Sequence, residues 1–269
     1  MSNPHKAIRI AAHRGWSAAF PENSLAAFAA AYSAGVDELE FDVRHTMDGV
    51  PVIVHDARMA RTSDSEAEVA CLSIDEFLAA SLREPGGSVT PGHTPPTLLQ
   101  VLDLFGGRIG MNIHVSDNDP PASTFSMLAQ LPWANDNPDV YIAGRENVLE
   151  RALQHAPRVH RACLVNQNKP EEMLYAAKAF RCQRVQFFKE SVTEALVASA
   201  KSQGIASNLF FSDELEEALR LYDLGLETLL TNDAGPLVRA RDAYRARKFG
   251  GSRREPITPR LPPKSSSPA

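Results

Sequence analysis

Short apolar runs alternate with helical patterns along almost the whole of this 269-residue chain. The runs that predict strands lie at 8–12, 37–43, 51–55, 109–115, 139–143, 162–165, 184–188, 205–211 and 227–230. The segments that predict helices lie at 23–34, 96–105, 121–131, 145–156, 170–181, 191–203, 213–224 and 234–248. Strands that alternate with helices at this spacing are typical of parallel α/β folds.

One pair of apolar runs predicts a hairpin instead. Asp48 and Gly49 lie between the runs at 37–43 and 51–55, and Asp-Gly between two strands favours a tight turn. With these two residues as the turn, Asp42 is expected opposite His55. The run at 51–55 is then the returning arm of a hairpin on the second strand, and the other strands follow the βα pattern.

Removing that arm leaves eight strands, and eight strand–helix units in about 250 residues predict a single (β/α)8 TIM barrel. We expect the barrel to span residues 1–249, with the hairpin as an extension after strand 2. An open doubly wound sheet is the alternative. Residues 250–269 are rich in Pro and Ser and predict a disordered tail.

Charge and cysteine content narrow the class of protein. The net charge is −5, and Lys and Arg concentrate in 239–269, so the remainder is acidic and nucleic acid is not expected as a partner. No apolar run reaches the length of a membrane span, and the N-terminal segment lacks a secretory apolar region. None of the three cysteines lies in a CxxC spacing. We expect a cytoplasmic protein without stable membrane insertion, and we make no prediction of its oligomeric state.

Polar side chains gather at the strand ends where barrels carry their chemistry. In a (β/α)8 barrel these are the carboxyl ends, and residues two apart on a strand share a face. The residues placed there by this rule are His13, Arg14, Glu40, Asp42, His55, Asn112 and His114. We therefore expect these side chains to meet at one mouth of the barrel.

Carboxylates at such a mouth are costly unless a cation neutralises them. Glu40, Asp42 and Asn112 would offer a divalent metal only oxygen ligands, which favours Mg²⁺ or Ca²⁺. His13 and His55 suit acid–base catalysis near neutral pH. A metal with an acid and a base fits displacement at phosphorus.

The first part of the chain contains a series of motifs in a fixed order: HRG at 13–15, PENS at 21–24, Glu-x-Asp-Val at 40–43, TxDG at 46–49 and HD at 55–56. In these motifs the chain resembles the glycerophosphodiester phosphodiesterase family. Weaker matches at 61–62, 96–98 and 231–232 extend the resemblance over about 8–232.

The resemblance implies a barrel enzyme with a divalent metal and two catalytic histidines. His13 and His55 would be acid and base, Arg14 would steady the phosphate, and Glu40 and Asp42 would hold the metal. A hydroxyl of a small glycerophosphodiester would attack phosphorus, and the cyclic phosphate would then be hydrolysed to a phosphomonoester.

The chain departs from the family pattern in its second half. Asn112 and His114 replace the usual Glu-x-Lys, and Gly144-Arg145 replaces Ser-Phe. The usual Trp of the seventh strand is missing from the segment Ser207-Asn208-Leu209-Phe210. We expect His114, Arg145, Lys189 and Asn208 to contact the substrate, with Arg145 or Lys189 supplying the missing cation.

Two alternatives to hydrolysis remain open at this point. The barrel could be catalytically silent and bind phosphodiesters or a protein partner, with Asn112 and His114 as a polar plug. It could instead be a lyase whose reaction stops at the cyclic phosphate.

Overall fold

The computed structural model describes residues 9–249. Its strands form one sheet in the order β1-β9-β8-β7-β6-β5-β4-β2-β3, and β1 also pairs with β2, so that the sheet closes. The strands are β1 (Arg9–His13), β2 (Glu38–His45), β3 (Pro51–Ile53), β4 (Gly110–Val115), β5 (Val140–Gly144), β6 (His160–Cys163), β7 (Arg184–Phe188), β8 (Ala206–Phe210) and β9 (Thr228–Thr231). Every pairing is parallel except that of β2 with β3. The predicted eight-stranded barrel is confirmed, and the open sheet is excluded.

Helices cover the outside of the barrel. They are α1 (Leu25–Ala34), α2 (Ile74–Leu78), α3 (Leu98–Phe105), α4 (Ala122–Ala129), α5 (Glu146–His155), α6 (Pro170–Ala179), α7 (Glu194–Ser202), α8 (Leu215–Asp223) and α9 (Ala234–Phe249). Local sequence sets their ends: the Ser24 hydroxyl caps α1 by accepting from the Ala27 amide, and Gly35 ends it at φ 88°. The predicted disordered tail at 250–269 lies outside the described residues.

The predicted hairpin is present, but its predicted register is wrong by one residue. Val43 lies opposite Ile53, and the Val54 amide donates to the Asp42 carbonyl, so Val54 rather than His55 is the partner of Asp42. The cause is a three-residue loop in which Gly49 adopts φ 78°. Thr46 closes this loop, since its amide and the Val50 carbonyl form a 3.1 Å hydrogen bond.

A polar network fills the barrel interior on the side away from the carboxyl ends of the strands. The Tyr141 hydroxyl donates to Glu38 Oε2 at 2.6 Å and accepts from Asn208 Nδ2 at 2.8 Å. Arg184 donates to Asn208 Oδ1 at 3.1 Å, and Arg9 pairs with Glu38 Oε1 at 2.9 Å. These four side chains therefore satisfy one another as a dry interior requires, although the buried Arg9 Nε has no hydrogen-bond partner among residues 9–249.

The segment between β3 and α3 packs over its own small core. Its buried apolar side chains form a cluster separate from the barrel core, made of Val52, Val54, Met59, Val69, Phe77 and Ala80. Two short 3₁₀ turns, Met59–Arg61 and Val69–Cys71, and the helix α2 build this segment. The sequence patterns predicted no helix or strand between 55 and 96 and did not indicate this cluster.

Candidate active site

A sharp turn after β1 presents His13 and Arg14 at the carboxyl edge of the barrel. Arg14 and Gly15 both have positive φ, 58° and 78°. A Cβ on Gly15 would lie 2.7 Å from the backbone of Ala27, so only glycine allows the turn to pack against α1. The Arg14 amide donates to Glu40 Oε2 at 2.8 Å, which ties the turn to β2.

Two residues from the C-terminal part of the sequence, Asn232 and Asp213, hold His13 in position. Its Nδ1 lies 2.7 Å from Asn232 Oδ1. The Asn232 amide group is oriented by Asp213, whose Oδ2 accepts from Asn232 Nδ2 at 2.9 Å. Because Asn232 therefore turns its carbonyl oxygen towards His13, Nδ1 of the neutral ring carries the hydrogen and Nε2 is the basic atom.

His13 is neutral at physiological pH. Burial and the charge of Arg14 lower the pKa of His13 from 6.5 to about 4. Two aromatic rings contribute to that burial: Phe211 stacks on the imidazole with centroids 5.5 Å apart, and Phe210 meets it edge-on at 5.0 Å. A neutral imidazole with a defined tautomer can accept a proton.

The carboxylates of Glu40 and Asp42 form the buried centre of the site. Both residues are almost inaccessible, with 2% and 1% exposure. Asn23 binds Asp42 twice, donating from Nδ2 to Oδ2 at 3.0 Å and accepting from the Asp42 amide at 3.2 Å. Arg14 Nε lies 3.3 Å from Asp42 Oδ2 and supplies a positive charge.

The pKa values of Glu40 and Asp42 are shifted in opposite directions. Burial and the nearby charge of Asp42 raise the pKa of Glu40 well above its ordinary value. Burial also opposes ionisation of Asp42, but the hydrogen bond and charge of His114, with Arg14, outweigh it and lower the pKa of Asp42. The protein's own cations thus do not fully balance two negative charges at this position.

His114 and Asn112 on β4 complete the group beside these carboxylates. His114 Nδ1 lies 3.3 Å from Asp42 Oδ1 and 3.9 Å from Glu40 Oε1. Asn112 lies next to Glu40 in the β2–β4 register and is 1% exposed. Its Nδ2 donates to Gln186 Oε1 at 3.3 Å, whereas its buried Oδ1 has no hydrogen-bond partner among residues 9–249.

This donor set fits a divalent metal ion. One ligand atom from each of Glu40, Asp42 and His114 lies within 4.8 Å of the others. The partnerless Asn112 oxygen and the incompletely balanced carboxylates are both features that a bound cation would satisfy. The residues that could hold the metal are therefore Glu40, Asp42, His114 and Asn112.

His55 reaches the site from the segment after β3. Its Nδ1 donates to Asp56 Oδ1 at 2.6 Å, and Arg44 Nε donates to the His55 carbonyl at 2.7 Å. The Asp56 carboxylate accepts a second bond at 2.6 Å from Arg61. The ring is thereby oriented by a carboxylate and its backbone by an arginine from β2.

A chain of ion pairs joins the two histidine-bearing segments. Arg61 NH1 lies 2.7 Å from Glu22 Oε2, and Glu22 Oε1 lies 2.9 Å from Arg14 NH1. With the bond from Arg61 to Asp56, this chain runs from the turn of His13 to the arm of His55. The two loops therefore hold each other in place across the barrel mouth.

Three of the expected substrate residues form no hydrogen bond or ion pair with this group in the described part of the chain. Asn208 is fully buried, and both ends of its amide are used by Tyr141 and Arg184 in the interior network, so it does not join the mouth as expected. Lys189 pairs with Glu217 at 3.3 Å. Arg145 is exposed at the start of α5, immediately after β5.

Comparison with known proteins decides the family. The model of the glycerophosphoryl diester phosphodiesterase family matches residues 13–235. The chain belongs to this family. The resemblance and the phosphodiesterase class predicted from the sequence are thereby confirmed.

One relative matches most of the chain, and another matches a shorter part of it at higher identity. A glycerophosphodiester phosphodiesterase of Caldanaerobacter subterraneus is 25% identical over 232 residues, which cover 85% of this chain and 96% of that protein. A probable glycerophosphodiester phosphodiesterase of Mycobacterium tuberculosis is 47% identical, but over 75 residues, 28% of this chain and 26% of the relative.

Solved structures of the family share the fold. A putative glycerophosphoryl diester phosphodiesterase from Silicibacter pomeroyi has a TM-score of 0.76 at 23% identity, over 89% of this chain and 94% of that one. A phosphodiesterase from Oleispira antarctica, solved with the product sn-glycerol-3-phosphate, has a TM-score of 0.74 at 23% identity, over 88% and 97% of the two chains.

Sequence reasoning missed several residues that position the groups of this glycerophosphoryl diester phosphodiesterase family member. They are Asn23, Asp56, Arg61, Asp213 and Asn232. Asn23, Asp56, Arg61 and Asn232 lie within the motifs and weaker matches that carry the family resemblance, and this was the available signal. Asp213 had no local signal, since its contact with Asn232 depends on the pairing of β8 with β9.

The described part of the chain contains no helix that is both long enough and apolar enough to cross a membrane.

Proposed function

We propose that this family member is a metal-dependent hydrolase that cleaves a small glycerophosphodiester-like molecule into an alcohol and a phosphomonoester. One observation carries the proposal: His13 and His55 each have Nδ1 held by a side-chain oxygen, and both stand at the mouth that contains the buried Glu40–Asp42 pair. Two oriented imidazoles beside a metal-binding pair match the needs of displacement at phosphorus.

His13 acts as the general base. Its Nδ1 is occupied by Asn232 and its pKa is lowered, so at neutral pH Nε2 carries a lone pair. It removes the proton of the attacking hydroxyl as the new oxygen–phosphorus bond forms. The phosphorus–oxygen bond to the alcohol then breaks.

His55 acts as the general acid. Its Nδ1 donates to the Asp56 carboxylate at 2.6 Å, and the ring is more open to solvent than that of His13, with 38% side-chain exposure. It donates a proton to the departing alcohol oxygen. Hydrolysis of the cyclic phosphate reverses the two roles, because His55 is then the base that activates water.

The phosphate group is held by charge. Arg14 presents its guanidinium next to Asp42, and Arg145 follows β5 at the carboxyl edge. A divalent ion held by Glu40 and Asp42, when bound, would orient and neutralise the phosphoryl oxygens. His114 and Asn112 border the same position, whereas the side chains of Asn208 and Lys189 are bound to Arg184 and Glu217.

The substrate class rests on the family and its relatives. The family model covers most of the chain, and the Oleispira antarctica neighbour binds sn-glycerol-3-phosphate as product. These support a small glycerophosphodiester as the substrate here.

Turnover by the purified full chain tests the proposal. Glycerophosphocholine and an aryl phosphodiester are offered with each of several divalent ions or with EDTA. We expect metal-dependent release of phosphomonoester, and a loss of about 10²–10⁴-fold in kcat for His13→Ala and for His55→Ala. His93→Ala, which alters a histidine paired with Glu84 in the segment after β3, is the control and should keep full turnover.

Two results would contradict this assignment. Absence of turnover with every ion and substrate favours a silent barrel that binds without cleaving. Phosphorus NMR that shows a cyclic phosphate as the final product favours a lyase.

A further inference from the structure

We propose that His114 is a nitrogen ligand of the metal site, so that the site selects ions such as Zn²⁺ and Co²⁺ over Mg²⁺ and Ca²⁺. This inference rests on the metal site of the proposed function and revises the all-oxygen ligand set expected from the sequence. It assigns to His114 the role of a ligand in place of a substrate contact.

The position of the imidazole supports a shared ion. Ligand atoms at about 2.0–2.2 Å from one metal ion stand roughly 3–3.5 Å apart for neighbouring coordination positions. His114 Nδ1 lies 3.3 Å from Asp42 Oδ1, inside that range, and 3.9 Å from Glu40 Oε1, slightly beyond it. The same nitrogen thus faces both carboxylates at once.

Asn112 gives a second, independent indication of an ion at this place. Gln186 holds the amide nitrogen of Asn112, which fixes the orientation of the amide group. Its oxygen, in a residue 1% exposed, is left without a hydrogen-bond partner among residues 9–249. Because Asn112 is the register partner of Glu40, this oxygen donor belongs to the same layer of the barrel.

The chemistry of this ligand set differs from one made of carboxylates alone. Imidazole nitrogen suits Zn²⁺, Co²⁺ and Ni²⁺, whereas Mg²⁺ and Ca²⁺ prefer oxygen and retain water. Two carboxylates with one neutral imidazole also carry one negative charge fewer than three carboxylates would. The loss of one negative charge weakens binding of Mg²⁺ and Ca²⁺, and the nitrogen ligand strengthens binding of Zn²⁺ and Co²⁺.

The same distances permit one competing interpretation, in which His114 is a cation that pairs with Asp42. The two interpretations predict opposite effects of its removal. A protonated imidazole repels a metal ion, so replacing His114 with a neutral side chain would strengthen metal binding. A ligand contributes to affinity, so the same replacement would weaken it.

Metal binding to the full chain, freed of metal by EDTA and dialysis, distinguishes them without any assay of activity. Calorimetry gives the affinities for Zn²⁺, Co²⁺, Mg²⁺ and Ca²⁺, and visible absorption of bound Co²⁺ reports nitrogen coordination. We expect Zn²⁺ and Co²⁺ to bind at least about 100-fold more tightly than Mg²⁺. His114→Gln should weaken Zn²⁺ binding by at least about 10–100-fold, change Mg²⁺ binding little and alter the Co²⁺ spectrum.

Two further variants complete the experiment. His114→Lys places a side chain that does not bind metal at neutral pH and should reproduce the loss seen with His114→Gln. His93→Gln, outside the site, should bind every ion as the unaltered chain does. Thermal unfolding without metal verifies that each variant is folded.

The inference is overturned if His114→Gln binds Zn²⁺ as tightly as before or more tightly, if Mg²⁺ and Zn²⁺ bind equally, or if no ion binds. These outcomes are separate from those of the turnover assay. Hydrolysis with equal affinity for Mg²⁺ and Zn²⁺ would refute the ligand role alone. Zn²⁺ selectivity through His114 without any turnover would refute the hydrolase alone.

Discussion

Asn232 Oδ1 lies 2.7 Å from Nδ1 of His13, although 219 residues separate the two in sequence. His13 ends the first strand of the barrel and Asn232 follows the last, and the pairing of β1 with β9 brings them together. Closure of the barrel therefore sets the tautomer of the proposed general base.

Asn232→Ala should lower kcat by part of the roughly 10²–10⁴-fold that a general base contributes. The ring loses the acceptor that fixes its Nδ1 hydrogen, while its substrate-facing side is unchanged, so KM should change little. Steady-state kinetics provides the measurement. Asn137→Ala is the control, since Asn137 Nδ2 donates to the Trp133 carbonyl in a remote loop. Equal kcat in the two variants would mean that Asn232 does not position His13.

Acid should destabilise the protein through His13. Its pKa is about 4 in the folded chain and 6.5 ordinarily, so between these values the unfolded chain binds the proton first. Stability therefore falls as pH decreases through this window, by up to about 3 kcal/mol from this group. Denaturant unfolding in EDTA at pH 4 and pH 7 should show a smaller fall for His13→Asn than for the unaltered chain. An equal fall in both proteins would contradict the shift.

Gly15→Ala should be much more destabilising than Gly49→Ala. Both glycines have φ 78°, but a Cβ on Gly15 meets Ala27 at 2.7 Å, whereas one on Gly49 meets nothing within 4 Å. Gly49→Ala then measures the cost of the left-handed backbone alone, about 1–2 kcal/mol. Gly15→Ala adds overpacking, about 1–3 kcal/mol more. Urea unfolding of both variants gives the comparison, and similar losses would show that the turn after β1 can move away from α1.

Tyr141→Phe should cost about 1–3 kcal/mol of stability. The change removes the hydroxyl that donates to Glu38 and accepts from Asn208, and leaves both buried groups short of a partner. Tyr175→Phe, at a tyrosine 80% exposed, is the matched control and should be neutral. The free energy of unfolding is the measurement. A neutral effect at position 141 would mean that water replaces the hydroxyl.

Arg145→Ala should raise KM, and Lys189→Ala should leave kcat and KM nearly unchanged. Arg145 is exposed at the carboxyl edge, while the Lys189 amine is bound to Glu217. A partly solvated pair between Arg145 and the phosphate is worth at most about 1 kcal/mol, so KM should rise no more than about fivefold. The KM for glycerophosphocholine tests both. An effect of Lys189→Ala alone would assign the cation to Lys189.

Local patterns predicted the barrel, because each strand and helix is encoded by residues adjacent in sequence. The turn at Asp48-Gly49 was also predictable from the sequence, but the register of the two strands that it joins was not. The backbone pairing of Thr46 with Val50 makes a three-residue loop, and a shift of one residue puts Val54 instead of His55 opposite Asp42.

The candidate site was predictable where strand alternation sets it. Glu40 pairs with Asn112 and Asp42 pairs with His114 in the β2–β4 register, so the four side chains share one face. Asn208 was predicted at the mouth, because position along a strand does not show how deep in the barrel a side chain forms its hydrogen bonds. Its amide group instead binds Tyr141 on β5 and Arg184 on the adjacent β7.

The small apolar cluster around Phe77 and Met59 has an evolutionary consequence. A segment with its own core can change in length and sequence while the barrel keeps its packing. Because that segment also carries His55, substitutions there can remodel the approach to the acid group without altering the strands that hold Glu40 and Asp42. Enzymes of new specificity can arise from such a barrel by exchanging a single surface module.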